Sequence, residues 1–479
     1  MSVFAVVDVA HAYSIADAVT SALSYNDELK MKRGGVDIAE VGRKGVIFSE
    51  FMPHVTAQSG ASKFYTPLSV ARDGKEERGI ESASPTVSTV TLQASYGLFR
   101  GGASTAHLKA QNAILLSKQE DYNAEVVKLI NEVVVLYYDV IYTRQRYVLS
   151  VQGEKLAHDS LKIAKLQFEV GVITKTDLSL GQANLAANRS IKEEALAELK
   201  AKEADFFRKV GELPPRDITE ILLDKIVLPS TFEGFLEIAQ KQNYSLISDK
   251  YGLDAAKFAV QRAKAKFLPS IDFVVSNKKY YNAKRWQSIS DEGTTFGVQL
   301  SLPLFNGEVH TELAEAKVKH KIAEHELDNM MSAIRQSVTQ TWNNYKHSRI
   351  GVVAEDEAVR FHREFLEGTA EEYIIGTKSL SDLIDAQNKF FGSKTRLIKS
   401  QKEYLNSILS ILNLTGGLKD MDFTQFVGKI IPENAIIADI KDLNLERDKN
   451  ALLRDLNKKE QEDINDPEKD KKRKDEVVA

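Results

Sequence analysis

Cysteine is absent from all 479 residues. That excludes disulfides, thiolate metal sites, cysteine nucleophiles and a lipid anchor on an N-terminal cysteine. Proline numbers only 10 and glycine 26, and so few helix breakers suit long uninterrupted helices. No run of about 18 apolar residues occurs, so no helical membrane span is expected. The most apolar helix-like stretch, VVKLINEVVVLYYDVIYT, is broken by Lys128, Glu132 and Asp139. With 64 basic and 68 acidic residues, the net charge of −4 offers nothing to nucleic acid. There is no phosphate-binding loop and no GxSxG. The HKIAEH stretch at His320 has the wrong spacing for an HExxH zinc site. No catalytic residue, metal or cofactor is therefore expected, and an enzyme is disfavoured.

What is present is alternation that turns abruptly into helix. In TTFGVQLSLPLFNGEVH, Phe296, Val298, Leu300, Leu302 and Leu304 alternate with smaller or polar residues. A period of two marks a strand with one apolar and one wet face. The corner Leu304-Phe305-Asn306-Gly307 then opens a charged helical stretch. An earlier segment, VTLQASYGLFRGGAS, does the same, with its corner at Leu98-Phe99-Arg100-Gly101.

These are two members of a longer duplication. EFMPHVTAQSG at Glu50 pairs with KFLPSIDFVVS at Lys266. Gly171 matches Gly376, Asp177 matches Asp382, Gln182 matches Gln387 and Gly211 matches Gly416, each pair 205 positions apart. We expect a first repeat over 13–215 and a second over 216–430. Each repeat contains a proline-free stretch of about 66 residues, which as one helix would be roughly 100 Å long. Heptads run through both, at Tyr122, Val126, Leu129, Val133, Leu136 and Val140, and at Leu327, Met331, Ile334, Val338, Thr341 and Tyr345. Such seams pack helix against helix. Shorter helices, over 14–49 and 176–210 in the first copy, are expected to stack beside the long ones and build a rod.

Four strands are expected, at about 51–65, 87–99, 267–281 and 294–305. Each is long enough to cross a bilayer at a tilt. Phe51, Phe99, Phe267 and Phe305 would mark one rim, and Phe64, Tyr65, Tyr280, Tyr281 and Trp286 the other. Four strands cannot close a barrel, for which about eight is the practical minimum. Open edges cannot face lipid. Several copies must therefore share one barrel, and the corners at Leu98, Phe99, Gly101 and at Leu304, Phe305, Gly307 are where strands leave the bilayer as helices.

The paired LF-x-G corners, the F-[ML]-P strand starts and the duplicated Gly-x5-Asp-x4-Gln segments resemble the TolC family of outer-membrane efflux and secretion channels, over about Tyr13 to Gly417. The resemblance implies a mainly α fold with a small β part: antiparallel α-helical coiled-coil hairpins and a 12-stranded barrel shared by a homotrimer in the cell outer membrane, with a long periplasmic extension. It implies a passive duct for small molecules or proteins, in a tripartite efflux pump or type I secretion system. An inner-membrane transporter would feed it through a periplasmic adaptor protein. It also implies an entrance in YIIGTKSLSDLIDAQ. There Asp382 and Asp385 would form an acidic ring. Tyr373 and Lys378 would lock the inner helix pair to Thr176 and Asp177 of the first repeat. Lys378 stands where the best-known pattern has arginine, and lysine lacks the planar fork. Read without the resemblance, the same carboxylates are ordinary residues near a helix start, where the dipole favours them.

Two ends remain. MSVFAVVDVAHAYS, to about residue 12, reads as the end of a secretory signal or as a helix lead-in. From 431 to 479 the chain is charged and is expected to be disordered, with docking of partners a secondary possibility. The alternative function is a periplasmic coiled-coil adaptor or structural protein that spans no membrane. Four alternating, aromatic-flanked segments at duplicated positions argue against it.

Overall fold

The computed structural model describes residues 13–63, 86–215, 218–221, 226–281, 292–423 and 427–431. The expected signal segment, the charged tail beyond 431 and the rim residues Phe64, Tyr65 and Trp286 lie outside the described residues. In chain order the elements are α1 (Ile15–Tyr25), α2 (Asp27–Phe51), β1 (His54–Lys63), β2 (Thr86–Arg100), α3 (Ala103–Glu169), α4 (Lys175–Val210) and β3 (Ile218–Ile221). Then follow α5 (Phe232–Gln242), α6 (Tyr244–Ala265), β4 (Ser270–Tyr281), β5 (Glu292–Ser301), α7 (Gly307–Ile374), α8 (Leu380–Leu414) and β6 (Val427–Ile431). They divide into two units. One comprises 28–125 and 238–335, the other 1–27, 126–237 and 336–479, and α3 and α7 contribute to both. None of the described helices is long and apolar enough to cross a membrane.

The 28–125 and 238–335 unit contains the four expected strands as one antiparallel sheet in the order β1-β2-β4-β5. Register aligns the apolar positions in rows. Val55 faces Ala94, Ala94 faces Val275, and Val275 faces Phe296, while Tyr96, Phe273 and Val298 form the next row on the same face. The polar positions form the other face, as in the row Thr56, Gln93, Ser276 and Thr295. Every residue of β1 and β5 is exposed. Within the described chain the sheet therefore has two open edges and an apolar face with nothing packed on it.

Three strand ends differ from the expectation, each at a proline. Phe51 ends α2, and β1 begins only after Pro53. Phe267 lies in the turn after α6, and β4 begins after Pro269. The alternation through Leu302 and Leu304 continues in sequence, but β5 stops at Ser301, before Pro303. Proline lacks the amide a ladder needs and disfavours helix at the residue before it. Leu304 and Phe305 are consequently off the strand, 91% and 86% exposed.

The two corners, alike in sequence, turn by different means. At the first, Gly101 and Gly102 have φ of 59° and 84°, the left-handed region that favours glycine. A side-chain carbon on Gly101 would also stand 2.6 Å from Leu268 Cβ and 2.7 Å from the Ala265 carbonyl oxygen. Beside it, Glu50 accepts from Arg100 Nη1 at 3.0 Å and from Ser104 Oγ at 2.7 Å, and pairs with His107. At the second corner Asn306 caps α7, its Oδ1 accepting from the Glu308 amide at 2.9 Å, and Gly307 has open space around it.

In the other unit, α3 carries the expected heptad, with Val126, Leu129, Val133 and Val140 buried. A second stripe runs beside it, Val127, Ile130, Val134, Tyr137 and Ile141, all buried. Two stripes let one helix pack on two sides. One side of α3 meets α7 and α8 through Leu156, Ala164, Val359, Leu366, Leu383 and Phe390. The other meets α4 through Ala157, Leu161 and Leu185. Asp139, buried on α3, sits 2.6 Å from Lys402 Nζ of α8 and 3.6 Å from Lys202 Nζ of α4. A buried carboxylate needs such partners.

The expected single helices before each strand pair are each split in two. Asn26 separates α1 from α2, and Asn243 separates α5 from α6 and caps the latter through the Leu246 amide. The short β3–β6 pair was not foreseen, because a ladder of four or five residues leaves no periodic signal.

Gly101→Ala is expected to cost roughly 2 kcal/mol or more, from left-handed strain plus overpacking. Gly307→Ala is expected to change stability by no more than about 0.5 kcal/mol. Denaturant unfolding of the two variants, side by side, checks the contrast.

Candidate functional site

The two helix-to-helix turns are built twice by the same local chemistry. After α3, Gly171 adopts φ of 77°, and the amides of Gly171 and Val172 bond back to the carbonyls of Phe168 and Gln167. After α7, Gly376 adopts φ of 80°, and the amides of Gly376 and Thr377 bond to Tyr373 and Glu372. Glycine ends each helix because it alone takes that conformation cheaply. Each following helix then opens on a capping box. Thr174 Oγ1 accepts from the Asp177 amide, and Asp177 Oδ2 accepts from Thr174 N and Oγ1 at 3.0 and 2.7 Å. Ser379 and Asp382 repeat this at 3.0 and 2.7 Å. Reciprocal capping satisfies amides that a helix start leaves free.

This places two expected site residues in a structural role as well. Asp177 and Asp382 are both held below the ordinary aspartate value, first by the hydroxyl and then by the amide of their cap residue. Lys378 adds to the effect on Asp382. Asp385, one turn on, is exposed and pairs with Lys389 at 2.7 Å. Asp382 and Asp385 do stand at i, i+3 near the start of α8, as the sequence implies.

The tie between repeats differs from the expectation. Tyr373 is 4% exposed, and its hydroxyl donates to Gln167 Oε1 of α3 at 2.5 Å. Thr176 and Asp177 do not receive it: Thr176 is exposed in the first turn of α4. Asp177 acts on Tyr373 through its charge, which together with burial, the larger cause, pushes the phenol up to about 12. Lys378 is exposed, its amide donating to the Glu372 carbonyl.

Two further ties escaped sequence reasoning. Gln387, 5% exposed, donates to Ser160 Oγ of α3 at 2.9 Å. Its duplicate Gln182 is exposed. At Gly181 of α4 an added side-chain carbon would lie 3.3 Å from Leu161 Cδ1 and 3.5 Å from Leu380 Cδ2, so a small residue lets α4 approach α8 beside the turn. The sequence carries little signal for either, since glutamine stands at both Gln182 and Gln387 and a small residue at both Gly181 and Ala386.

A duplicated helical hairpin pair with matched caps, and a four-stranded sheet with open edges, find their counterparts among known proteins. The family model described as outer membrane efflux protein matches residues 49–211 and 235–417, one segment per repeat. The chain belongs to the outer membrane efflux protein family. Outer membrane efflux protein BepC of Brucella suis is 22% identical over 84% of this chain and 85% of its own. Alkaline protease secretion protein AprF of Pseudomonas aeruginosa is 24% identical over 74% of each chain. The Campylobacter jejuni CmeC outer membrane channel shares the fold, with a TM-score of 0.72 at 19% identity, covering 86% of this chain and 88% of that one. As an outer membrane efflux protein the chain is placed in the outer membrane, with the channel fold of its family and a long helical part in the periplasm.

The Tyr373–Gln167 bond is expected to couple by about 1 kcal/mol in a cycle of Tyr373→Phe and Gln167→Leu. Because the Tyr373 phenol is raised from 10.0 to about 12, its contribution is full below pH 10 and is lost as pH rises toward 12. Thermal unfolding of wild type and Tyr373→Phe across that range should show the gap between them closing. The caps behave oppositely. Asp177 and Asp382 are depressed, so their contribution is present above the ordinary value of 3.8 and is lost as pH falls below it.

Proposed function

We propose that three copies of this chain close one twelve-stranded barrel and form a passive exit duct for cargo delivered by an inner-membrane transporter through a periplasmic adaptor. The observation that carries this is the four-stranded sheet, whose two outer strands are unpaired along their outer sides among the described residues and whose apolar face is bare. In lipid each unsatisfied backbone group costs several kcal/mol, so the edges need partners. Strand directions alternate through the sheet, so β5 of one copy meets β1 of the next antiparallel and the alternation continues unbroken. The apolar rows then face lipid, and the polar rows line the lumen.

The turn between α7 and α8 is the entrance of the duct in this reading. Asp382 and Asp385 of three copies form stacked carboxylate rings, which concentrate field and attract cations. Lys389 offsets Asp385 within each chain, so Asp382 supplies more of the net charge. The tie from Tyr373 to Gln167 holds the second repeat's hairpin against the first repeat's long helix and keeps the entrance narrow. Lys378 moderates the Asp382 charge. The duct itself carries out no covalent chemistry. AprF is named for protease secretion and BepC for efflux, and both kinds of cargo fit a passive duct.

Reconstituted in planar bilayers, the protein is expected to give discrete, cation-preferring conductance steps. Asp382→Asn combined with Asp385→Asn should lower that preference and weaken block by multivalent cations. Asparagine keeps an acceptor for the Ser379 cap, so the turn survives while the charge goes. Absence of conductance would contradict the channel, and unchanged selectivity would contradict the ring.

A further inference from the structure

Between Asp385 and Glu403, α8 carries five cations, Lys389, Lys394, Arg396, Lys399 and Lys402, and no acidic residue. Three of them are drawn elsewhere. Lys402 reaches inward to buried Asp139 at 2.6 Å. Lys389 pairs with Asp385 at 2.7 Å, and Lys394 Nζ stands 5.3 Å from the centre of the Phe390 ring. Arg396 and Lys399 point outward, their side chains 53% and 64% exposed. At about 3.6 residues per turn, Arg396 lies about three turns beyond Asp385 and Lys399 about four, on one face of the helix. That face is the exposed one that also carries Asp382 and Asp385.

The Arg396 guanidinium is only partly used. Among the described residues its Nε donates to both carboxylate oxygens of Glu355, at 3.2 and 3.1 Å. The two Nη groups keep their hydrogens for another acceptor. The guanidinium lies back along the helix over Gly392, where an added side-chain carbon would stand 3.5 Å from Nη1. Lys399 Nζ is 3.7 Å from Glu403, an exposed pair of the kind that holds its partners weakly. The first repeat has no such group. At the constant offset of 205, Ala187, Ile191 and Glu194 stand where the second repeat has Gly392, Arg396 and Lys399. The two hairpins share their caps and turn glycines but not these cations, so the scaffold does not require them.

We propose that Arg396 and Lys399 form an oxyanion-binding tier inside the duct, roughly 16 to 21 Å beyond Asp385, where cargo bearing phosphate or carboxylate groups is held in transit. The inference rests on the entrance reading above, because it places the tier on the face that carries the acidic pair. Three copies bring three Arg396 forks and three Lys399 ammonium groups to one level of the duct. The planar fork takes a phosphate or carboxylate through two parallel bonds, and the ammonium adds a point charge one turn on. A lumen lined by one sign of charge focuses that field on what passes. The duct then presents two stations of opposite sign in series. Cationic groups gather at the first and anionic groups at the second, and cargo carrying both signs meets both. Glu355 and Glu403 keep the second station reversible, since each takes back its cation when the cargo leaves.

The test uses inorganic pyrophosphate, added to each side in turn while single-channel current is recorded from the full-length protein in planar bilayers. Wild type is expected to show reversible, voltage-dependent block. Arg396→Gln with Lys399→Gln should weaken that block about tenfold or more. Arg396→Lys keeps the charge and loses the fork, and its block should fall between the two. Asp382→Asn with Asp385→Asn should strengthen block from the entrance side, where the ring no longer repels the anion. Equal block in wild type and the Arg396→Gln/Lys399→Gln variant, or no block of wild type at millimolar pyrophosphate, overturns the tier and leaves the entrance ring standing. If the double variant does not assemble, Arg396→Lys decides the matter, and block equal to wild type contradicts the fork. Cation preference unchanged by Asp382→Asn/Asp385→Asn overturns the entrance reading on which the tier rests. Absence of conductance overturns the duct and the tier together.

Discussion

Backbone hydrogen bonding at the edges of one small sheet governs this molecule. β1 and β5 each present a row of amides and carbonyls with no partner among the described residues. Water could satisfy those groups, but the apolar rows at Val55, Ala94, Val275 and Phe296 place the same strands where water is excluded. The conflict has one resolution within the architecture, pairing between copies. The proposed shared barrel and its symmetry follow from it, and with them the rings proposed for the entrance.

Duplication supplies the scaffold, and departures from duplication distinguish its two hairpin turns. Both hairpin turns have a left-handed glycine, a hydroxyl cap and an aspartate three residues on. These features are shared because each helix end needs them. Where the copies diverge, the second is the one tied down: Tyr373 bonds to α3 where Phe168 cannot, and Gln387 is buried where Gln182 is not. α8 is held by a large apolar cluster with α7 and α3, whereas α4 meets α3 through a small one. The hairpin that carries Asp382 and Asp385 is therefore the more firmly anchored, and Asp139 joins both hairpins to α3 away from the turns.

Much of this was legible in the sequence because it is periodic or repeated. Alternation located four strands, heptads located the long helices, and a constant offset paired the turns. Strand ends were misplaced at Phe51, Phe267 and Phe305, where apolar alternation ran on past a proline that stops the ladder. The breaks at Asn26 and Asn243 were missed because a single asparagine does not disturb a helical pattern. The partner of Tyr373 was missed for another reason. Gln167 lies in α3, 206 residues away, and its role depends on how α7 packs there rather than on any local motif. The second stripe on α3 lies next to the first, so the heptad alone does not reveal that the helix packs on two sides.

The most direct test of the shared barrel is the native mass of the protein extracted in mild detergent from an outer-membrane fraction. The account predicts an assembly of three chains, so that four strands from each complete a barrel of twelve. A stable single chain in that fraction would contradict it, because the edges of β1 and β5 would then face lipid unpaired.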